Sequence, residues 1–383
     1  MRVAIDARPA VSPGKTGVGH YTWNLIHHLP RVDPETTYLA WYLYFRRLTG
    51  RPLFFTDIRA PNFRERWTPF PARWFWRLTE RYGLPRVEWF VGFDVFWATN
   101  FLPPPTNASR LVVTVHDLAY KLHPETAPHS TLRWLQGIDD ALGRAAEVLV
   151  VSESTKRDLV ELYPVPPERV TVTPLGVDTT VFRPPPEDRV AEARRRFGVQ
   201  APYLLYVGGI EPRKNLPNLV RAFAEVADVV PRLVIVGGSV HWNPEGWNLL
   251  RPALEALPSG IRGRVTITGY VSEQDKIGLL GGATALVFPS RYEGFGLPVL
   301  EALACGTPVV TSNLSSLPEV AGDEAVYVDP LDPASIAEGI RRVAEDEALR
   351  RRLREGGPRR AAGFTWERTA RGTAEVLRRA GGR

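Results

Sequence analysis

Short apolar runs recur along the chain, each bounded by glycine, proline or a polar cluster. In the first half they fall at residues 3–6, 95–98, 110–115, 148–151 and 170–174. In the second half they fall at 203–207, 232–236, 265–268, 283–288, 308–311 and 325–328. The run at 283–288 is short and tightly bounded, which is the pattern of a strand buried in a parallel sheet. Helical spacing of apolar residues fills many of the gaps: from Gly17 through 29, at 156–163, up to 227, up to 280, at 334–344 and at 366–379. Parallel neighbours need a crossover, usually a helix, so this alternation predicts doubly wound α/β sheets. It breaks at 175–188, where Pro184, Pro185 and Pro186 stand among polar residues, and then starts afresh. The expectation is two Rossmann-like domains, 1–178 and 179–365, with a last helix inside 366–383 packing back on the first. No sequence repeat relates the halves, and the cleft between such halves is the default ligand site.

One stretch departs from the pattern. From Trp41 to Trp97 aromatic and arginine residues interleave, as in Arg46-Arg47, Phe54-Phe55, Arg64-Glu-Arg-Trp67, Arg73-Trp-Phe-Trp-Arg77, Arg81-Tyr82 and Trp89-Phe90. Neither strand alternation nor helical spacing is clear until 95–98. Tryptophan beside arginine suits an amphipathic segment at a membrane interface. It also suits an aromatic-rich core with a solvated rim, the reading that ranks first. Stacking on single-stranded nucleic acid uses similar residues but ranks lower, because no nucleic-acid motif accompanies them.

Composition narrows the class. A hydrophobic share of 44% and a charged share of 23% are those of a water-soluble protein with ample length, at 383 residues, for two or three cores. No run approaches the roughly 18–20 apolar residues that span a bilayer, and the N-terminus enters a strand without a signal-peptide layout. Cys305 is the only cysteine, which excludes a disulfide within the chain and fits a reducing cytoplasm. The net charge of +6 is carried mainly by arginine and does not separate nucleic acid, phosphorylated sugar or anionic lipid as partner. Abundant proline and a single methionine hint at a heat-tolerant source.

Candidate chemistry concentrates at strand ends, where parallel α/β sheets bind ligands. After the run at 283–288 comes Ser290-Arg-Tyr-Glu-Gly-Phe-Gly-Leu-Pro-Val-Leu-Glu301, a glycine loop leading into a helix with Pro298 near its start. Glu293 on the loop and Glu301, expected in the first helical turn, stand eight residues apart. Gly294 and Gly296 let the backbone approach a ligand, and helix-start N–H groups favour an anion. Arg213 and Lys214 follow another strand and Gly208-Gly209; two adjacent cations there suit a diphosphate, although a solvated turn is the plainer reading. His116 and Asp117 end the strand at 110–115, as a reactive pair or as a satisfied strand end. The turn Ser12-Pro-Gly-Lys-Thr-Gly-Val-Gly-His20 is not a P-loop, because Pro9 stands where the first glycine is needed. Nor is it a dinucleotide fingerprint, since Thr22 takes the third glycine place after Gly17 and Gly19. A generic anion site or a tight structural turn remains.

Together these motifs resemble the retaining glycosyltransferases of family 4, which have the GT-B fold. The resemblance runs over nearly the whole chain and is carried by "VVTVHDLAY", "VSEST", "YLLYVGGIEPRKN", "ALVFPSRYEGFGLPVLEALACGTPVV" and "SSLPEVAG". It implies that Glu301 bonds the ribose hydroxyls of a nucleotide sugar, and that Glu293 with the backbone of Phe295, Gly296 and Leu297 holds the donor sugar and phosphate. Arg213 and Lys214 would neutralise the leaving diphosphate beside Gly209, Gly17 would approach it from the first domain, and His116 would meet the donor sugar. No Asp-x-Asp occurs, so no metal is expected. Similarity to bacterial mannosyltransferases implies GDP-mannose as donor and a glycan or lipid-linked acceptor in cell-surface polysaccharide synthesis. The enzyme would work in the cytoplasm, at the inner face of the plasma membrane, with the 41–97 segment touching anionic lipid and no nucleic acid partner. UDP- or dTDP-sugar donors, a sugar-nucleotide epimerase or phosphorylase, and a non-catalytic binding protein are the alternatives.

Overall fold

The computed structural model describes residues 1–11, 16–43, 56–68, 71–126, 137–237 and 244–382, without the side chains of Ala72 and Glu80. The chain divides into two compact units. One comprises Met1–Leu118, Ser130–Gly176 and Trp366–Arg383; the other comprises Ala119–His129 and Val177–Thr365. The short piece Ala119–His129, inside the first expected domain, thus groups with the second unit.

The first unit holds a seven-stranded parallel sheet in the order β3-β2-β1-β4-β5-β6-β7. The strands are β1 (Arg2–Asp6), β2 (Thr37–Leu43), β3 (Phe63–Thr68), β4 (Val95–Ala98), β5 (Leu111–Val115), β6 (Ala145–Val150) and β7 (Val170–Val172). β4 and β5 are buried at every position, β4 as an unbroken apolar run and β5 with Thr114 accepting from the Trp97 indole N–H at 2.9 Å. The C-terminal helix Trp366–Ala380 belongs to this unit: Arg379 grips Glu147 on β6 at 2.5 and 2.8 Å, and Thr369 donates to the Pro174 carbonyl at 2.6 Å. The order of the sheet reverses between β1 and β4, so the loops leaving those strands part there and open a crevice.

The second unit repeats the plan with six parallel strands in the order β10-β9-β8-β11-β12-β13. They are β8 (Leu204–Val207), β9 (Leu233–Val236), β10 (Val265–Gly269), β11 (Ala285–Phe288), β12 (Val309–Ser312) and β13 (Val326–Val328). The reversal falls between β8 and β11. All four β11 side chains are buried. Leu286, Val287 and Phe288 each contribute about 1.5–3 kcal/mol, which fixes the strand end that carries the glycine loop.

Several elements correct the sequence reading. The end of β2, all of β3 and the helix Ala72–Tyr82 lie in the Arg/Trp stretch. Trp41, Tyr42 and Phe75 are core there, whereas Trp67, Trp74, Trp76, Tyr82 and Trp89 face solvent, so the stretch is both core and rim. Arg46, Arg47, Phe54 and Phe55 lie outside the described residues, as does most of the glycine turn before Thr16 and Gly238. A helix at Glu187–Phe197 directly follows the prolines of the linker, and a further helix, Glu347–Ala361, makes the helical finish three elements rather than two. Among the described residues no helix is long and apolar enough to cross a membrane.

Candidate active site

The glycine loop after β11 is built inward. Gly296 sits at φ 101°, and a Cβ there would lie 2.6 Å from Leu317 Cδ2, so glycine is required both for the backbone and for the close approach. The loop is tied down by Ser315 and Ser316. The Glu293 N–H donates to Ser315 Oγ at 2.9 Å, and Ser316 Oγ donates to the Glu293 carbonyl at 2.9 Å. Ser315 is held at φ 51° to do so. The next helix runs Leu297–Ala304, with the N–H groups of Val299 and Leu300 both bonded to the Gly296 carbonyl. Among the described residues, the N–H groups of Phe295, Gly296 and Leu297 donate to no protein acceptor. Consecutive N–H groups at a helix start form a seat for an anion.

Glu293 is buried and doubly paired. Lys214 Nζ lies 2.6 Å from one carboxylate oxygen and Arg213 Nη1 2.9 Å from the other. Arg213 reaches Glu211 as well, at 3.0 Å, and donates to the Tyr292 carbonyl at 3.0 Å. Burial by itself would raise the Glu293 carboxyl, but the Arg213 and Lys214 charges overcome it and hold the group at about 2. The cations are placed by local structure. Asn215, at φ 60°, ends their 3-10 turn Pro212–Lys214 and starts the helix Leu216–Val226. The Asn215 amide donates to the Pro289 carbonyl at 3.2 Å, and Arg291 N–H bonds the Arg213 carbonyl at 2.8 Å. The loops leaving β8 and β11 are thereby stitched together at the reversal point. Gly209 completes this edge, since a Cβ on it would stand 2.8 Å from Glu211 Oε1.

Glu301 occupies a separate position. It is the fifth residue of its helix, hence in the second turn rather than the first. Its partner is Lys276, whose Nζ lies 2.7 Å away. Burial raises its carboxyl and Lys276 opposes the rise.

In the first unit, His116 directly follows β5 and is buried, with its ring edge-on to Tyr21 at 4.9 Å. Its Nε2 is 2.7 Å from the Thr99 carbonyl, at the end of β4. A carbonyl only accepts, so Nε2 carries the proton and Nδ1 presents a lone pair. Burial lowers the imidazole, which keeps it neutral. Phe101, beside it at 6.0 Å, holds φ 41°, a strained conformation of the kind that clusters at ligand sites. Gly17 opens the helix Gly17–Val32, and a Cβ on it would meet nothing within 4 Å.

The structure thus gathers Glu293, Arg213, Lys214 and Gly209 into one cluster and sets Phe295, Gly296 and Leu297 on the adjoining turn. Glu301 stands with Lys276, and His116 and Gly17 belong to the other unit. Sequence reading missed Glu211, Lys276, Ser315 and Ser316. Glu211 stands two places before Arg213, and Ser315 and Ser316 open the "SSLPEVAG" motif; Lys276 had no such local signal. Among the described residues no group of three His, Cys, Asp or Glu side chains is placed to hold a metal ion.

The family profile Glycosyltransferase Family 4 matches residues 15–181, and Glycosyl transferases group 1 matches residues 190–360. The chain is 31% identical over 278 residues to the O-antigen chain mannosyltransferase B of Escherichia coli, covering 71% of each. It is 38% identical over 262 residues to a D-inositol 3-phosphate glycosyltransferase of a Nocardioides species, covering 63% of this chain and 56% of that protein. Sucrose-phosphate synthase from Thermosynechococcus elongatus shares the fold with a TM-score of 0.72 at 23% identity, over 99% of this chain and 98% of that one. The fold is GT-B, with two Rossmann-type α/β domains.

Proposed function

Because the chain belongs to glycosyltransferase family 4 and transfers a sugar from a nucleotide donor, we propose that it is a retaining, metal-independent hexosyltransferase that uses GDP-mannose. The observation that carries this reading is the buried cluster in which Arg213 and Lys214 converge on Glu293 beside unpaired backbone N–H groups. As the glycosidic bond stretches, negative charge grows on the leaving diphosphate. Fixed cations and N–H dipoles therefore stabilise the transition state more than the ground state. Arg213 and Lys214 supply the charge that a metal supplies elsewhere. The diphosphate takes over the two cations, and Glu293, released from them, accepts hydroxyl groups of the hexose. Glu301 accepts the ribose hydroxyls, Gly17 and Gly209 flank the diphosphate, and the Nδ1 of neutral His116 accepts from the sugar.

In the transfer step the C–O bond to the diphosphate breaks and its electron pair goes to the phosphate oxygen. The acceptor hydroxyl bonds to the same face of the anomeric carbon, and its proton passes to that phosphate oxygen. The configuration is retained without a covalent intermediate. Trapping a fluorinated sugar on Glu293 would exclude this route.

Mannose is favoured by the similarity to a mannosyltransferase; a UDP- or dTDP-sugar donor is the second reading. A thermal-shift screen across nucleotide sugars separates them. A shift with GDP and GDP-mannose and none with UDP or dTDP forms is expected, and the reverse pattern would replace the donor.

The acceptor in this reading is a glycan or lipid-linked sugar, reached at the inner face of the plasma membrane during cell-surface polysaccharide synthesis. Its support is the outer face of the helix Ala72–Tyr82. Arg73, Arg77 and Arg81 recur every four residues there, all exposed and none in an ion pair among the described residues. Trp74 and Trp76 flank them, 49% and 36% exposed. Cations among amphipathic rings match an anionic headgroup layer.

A further inference from the structure

Lys276 breaks a local rule. It is the fourth residue of the helix Glu273–Gly282, whose N-cap Ser272 accepts from the Asp275 N–H at 3.1 Å. The first turn of a helix favours anions, and Glu273 and Asp275 obey; a cation there opposes the helix dipole. Nor is the ammonium in open water. The side chain is 15% exposed, with Nζ 4.9 Å from the centre of the Phe182 ring and 2.7 Å from Glu301 Oε1. Asp275, the neighbouring acid, is occupied by Arg196 at 3.2 Å. A residue set against its helix and largely desolvated is explained by what it holds, and what it holds is one oxygen of Glu301. Among the described residues no protein donor reaches the other oxygen of that carboxylate.

We propose that Lys276 is a positioning residue for nucleotide recognition: it anchors Glu301 by Oε1 so that Oε2 is presented to the vicinal hydroxyls of the donor ribose. This rests on the reading of Glu301 as the ribose-binding carboxylate. A buried carboxylate with one oxygen anchored and one open selects a cis-diol, because a ligand lacking the diol leaves the open oxygen without a donor. Without Lys276 the carboxylate loses both its orientation and the charge that opposes its protonation. The Phe182 ring contributes by shielding the pair, which strengthens it relative to one in water.

The test is calorimetric titration of the full chain with GDP and 2′,3′-dideoxy-GDP, and with UDP and 2′,3′-dideoxy-UDP. In the wild type the dideoxy form is expected to bind at least about tenfold more weakly than its parent. Lys276→Met should bring that ratio close to one while GDP still binds through the diphosphate cluster, and Lys276→Arg should restore most of it. A purely structural lysine would change melting temperature and overall affinity without changing the ratio. If Lys276→Met unfolds, Lys276→Ala, which removes the donor and the charge together and leaves room for water, carries the same comparison. A wild-type ratio near one would overturn the ribose role of Glu301 and this proposal together. A large ratio that survives in the Met or Ala variant would overturn the role of Lys276 alone, and absence of binding by either parent nucleotide would overturn the donor site itself.

Discussion

Lys214 Nζ lies 2.6 Å from Glu293 Oε1 although the two residues are 79 positions apart. With Arg213 on the other oxygen, the carboxylate is fully engaged by cations before any donor arrives. Preorganised charge of this kind costs no reorganisation at the moment of reaction. Removing either side should therefore be felt mainly in turnover. Lys214→Ala and Glu293→Ala are each expected to lower transfer about 10²–10³-fold, with native far-UV circular dichroism. Near-normal transfer in either variant would refute the assignment of the cluster to the donor diphosphate.

The same pair sets an acid limit. Glu293 is held at about 2 against an ordinary value of 4.5, so its ionised form favours the folded state. That contribution is fully present above pH 4.5 and is lost as pH falls toward 2; it is on the order of 3 kcal/mol. Urea unfolding of the wild type and Glu293→Gln at pH 7 and pH 3 checks the sign. The stability gap between them should narrow in acid, and a gap independent of pH would contradict the linkage.

Two glycines separate folding from binding. Gly296→Ala places a Cβ 2.6 Å from Leu317 Cδ2 at φ 101° and should lower stability by roughly 1–3 kcal/mol. Gly17→Ala adds a methyl group to open space. It should leave the melting temperature unchanged while weakening binding of the nucleotide sugar. Unchanged affinity in Gly17→Ala would remove that residue from the donor site.

The helix Ala72–Tyr82 gives a salt-dependent expectation. Reversing Arg73, Arg77 and Arg81 to glutamate should reduce co-sedimentation with phosphatidylglycerol vesicles to background, and raising salt should do the same to the wild type. Binding that ignores both changes would remove this face from the membrane reading.

Much of the fold was legible because most of its strands are buried on both faces: β4 and β11 are unbroken apolar runs. β3 was not, since only Phe63 and Thr68 of its residues are buried and its register comes from pairing with β2. The helix Glu187–Phe197 buries only Val190 and Ala193, too few to print a period. In Glu347–Ala361 the buried positions include Gly356, Gly357 and Ala361, small residues that carry no apolar signal. At the site, Glu293, Arg213 and Lys214 announced themselves as charges at strand ends. Their mutual pairing did not, because it depends on two loops that meet only across the sheet. Lys276 was invisible for the same reason: 25 residues separate it from Glu301, and a lysine near a helix start reads as solvated until its partner is seen.

The most direct measurement is turnover of GDP-mannose with the anomeric configuration of the product read by NMR, in the wild type and in Lys214→Ala. The expected result is mannosyl transfer with the axial configuration of the donor retained, falling at least about a hundredfold in the variant. Inverted product, or transfer unaffected by loss of Lys214, would contradict a retaining reaction driven by the Arg213–Lys214–Glu293 cluster.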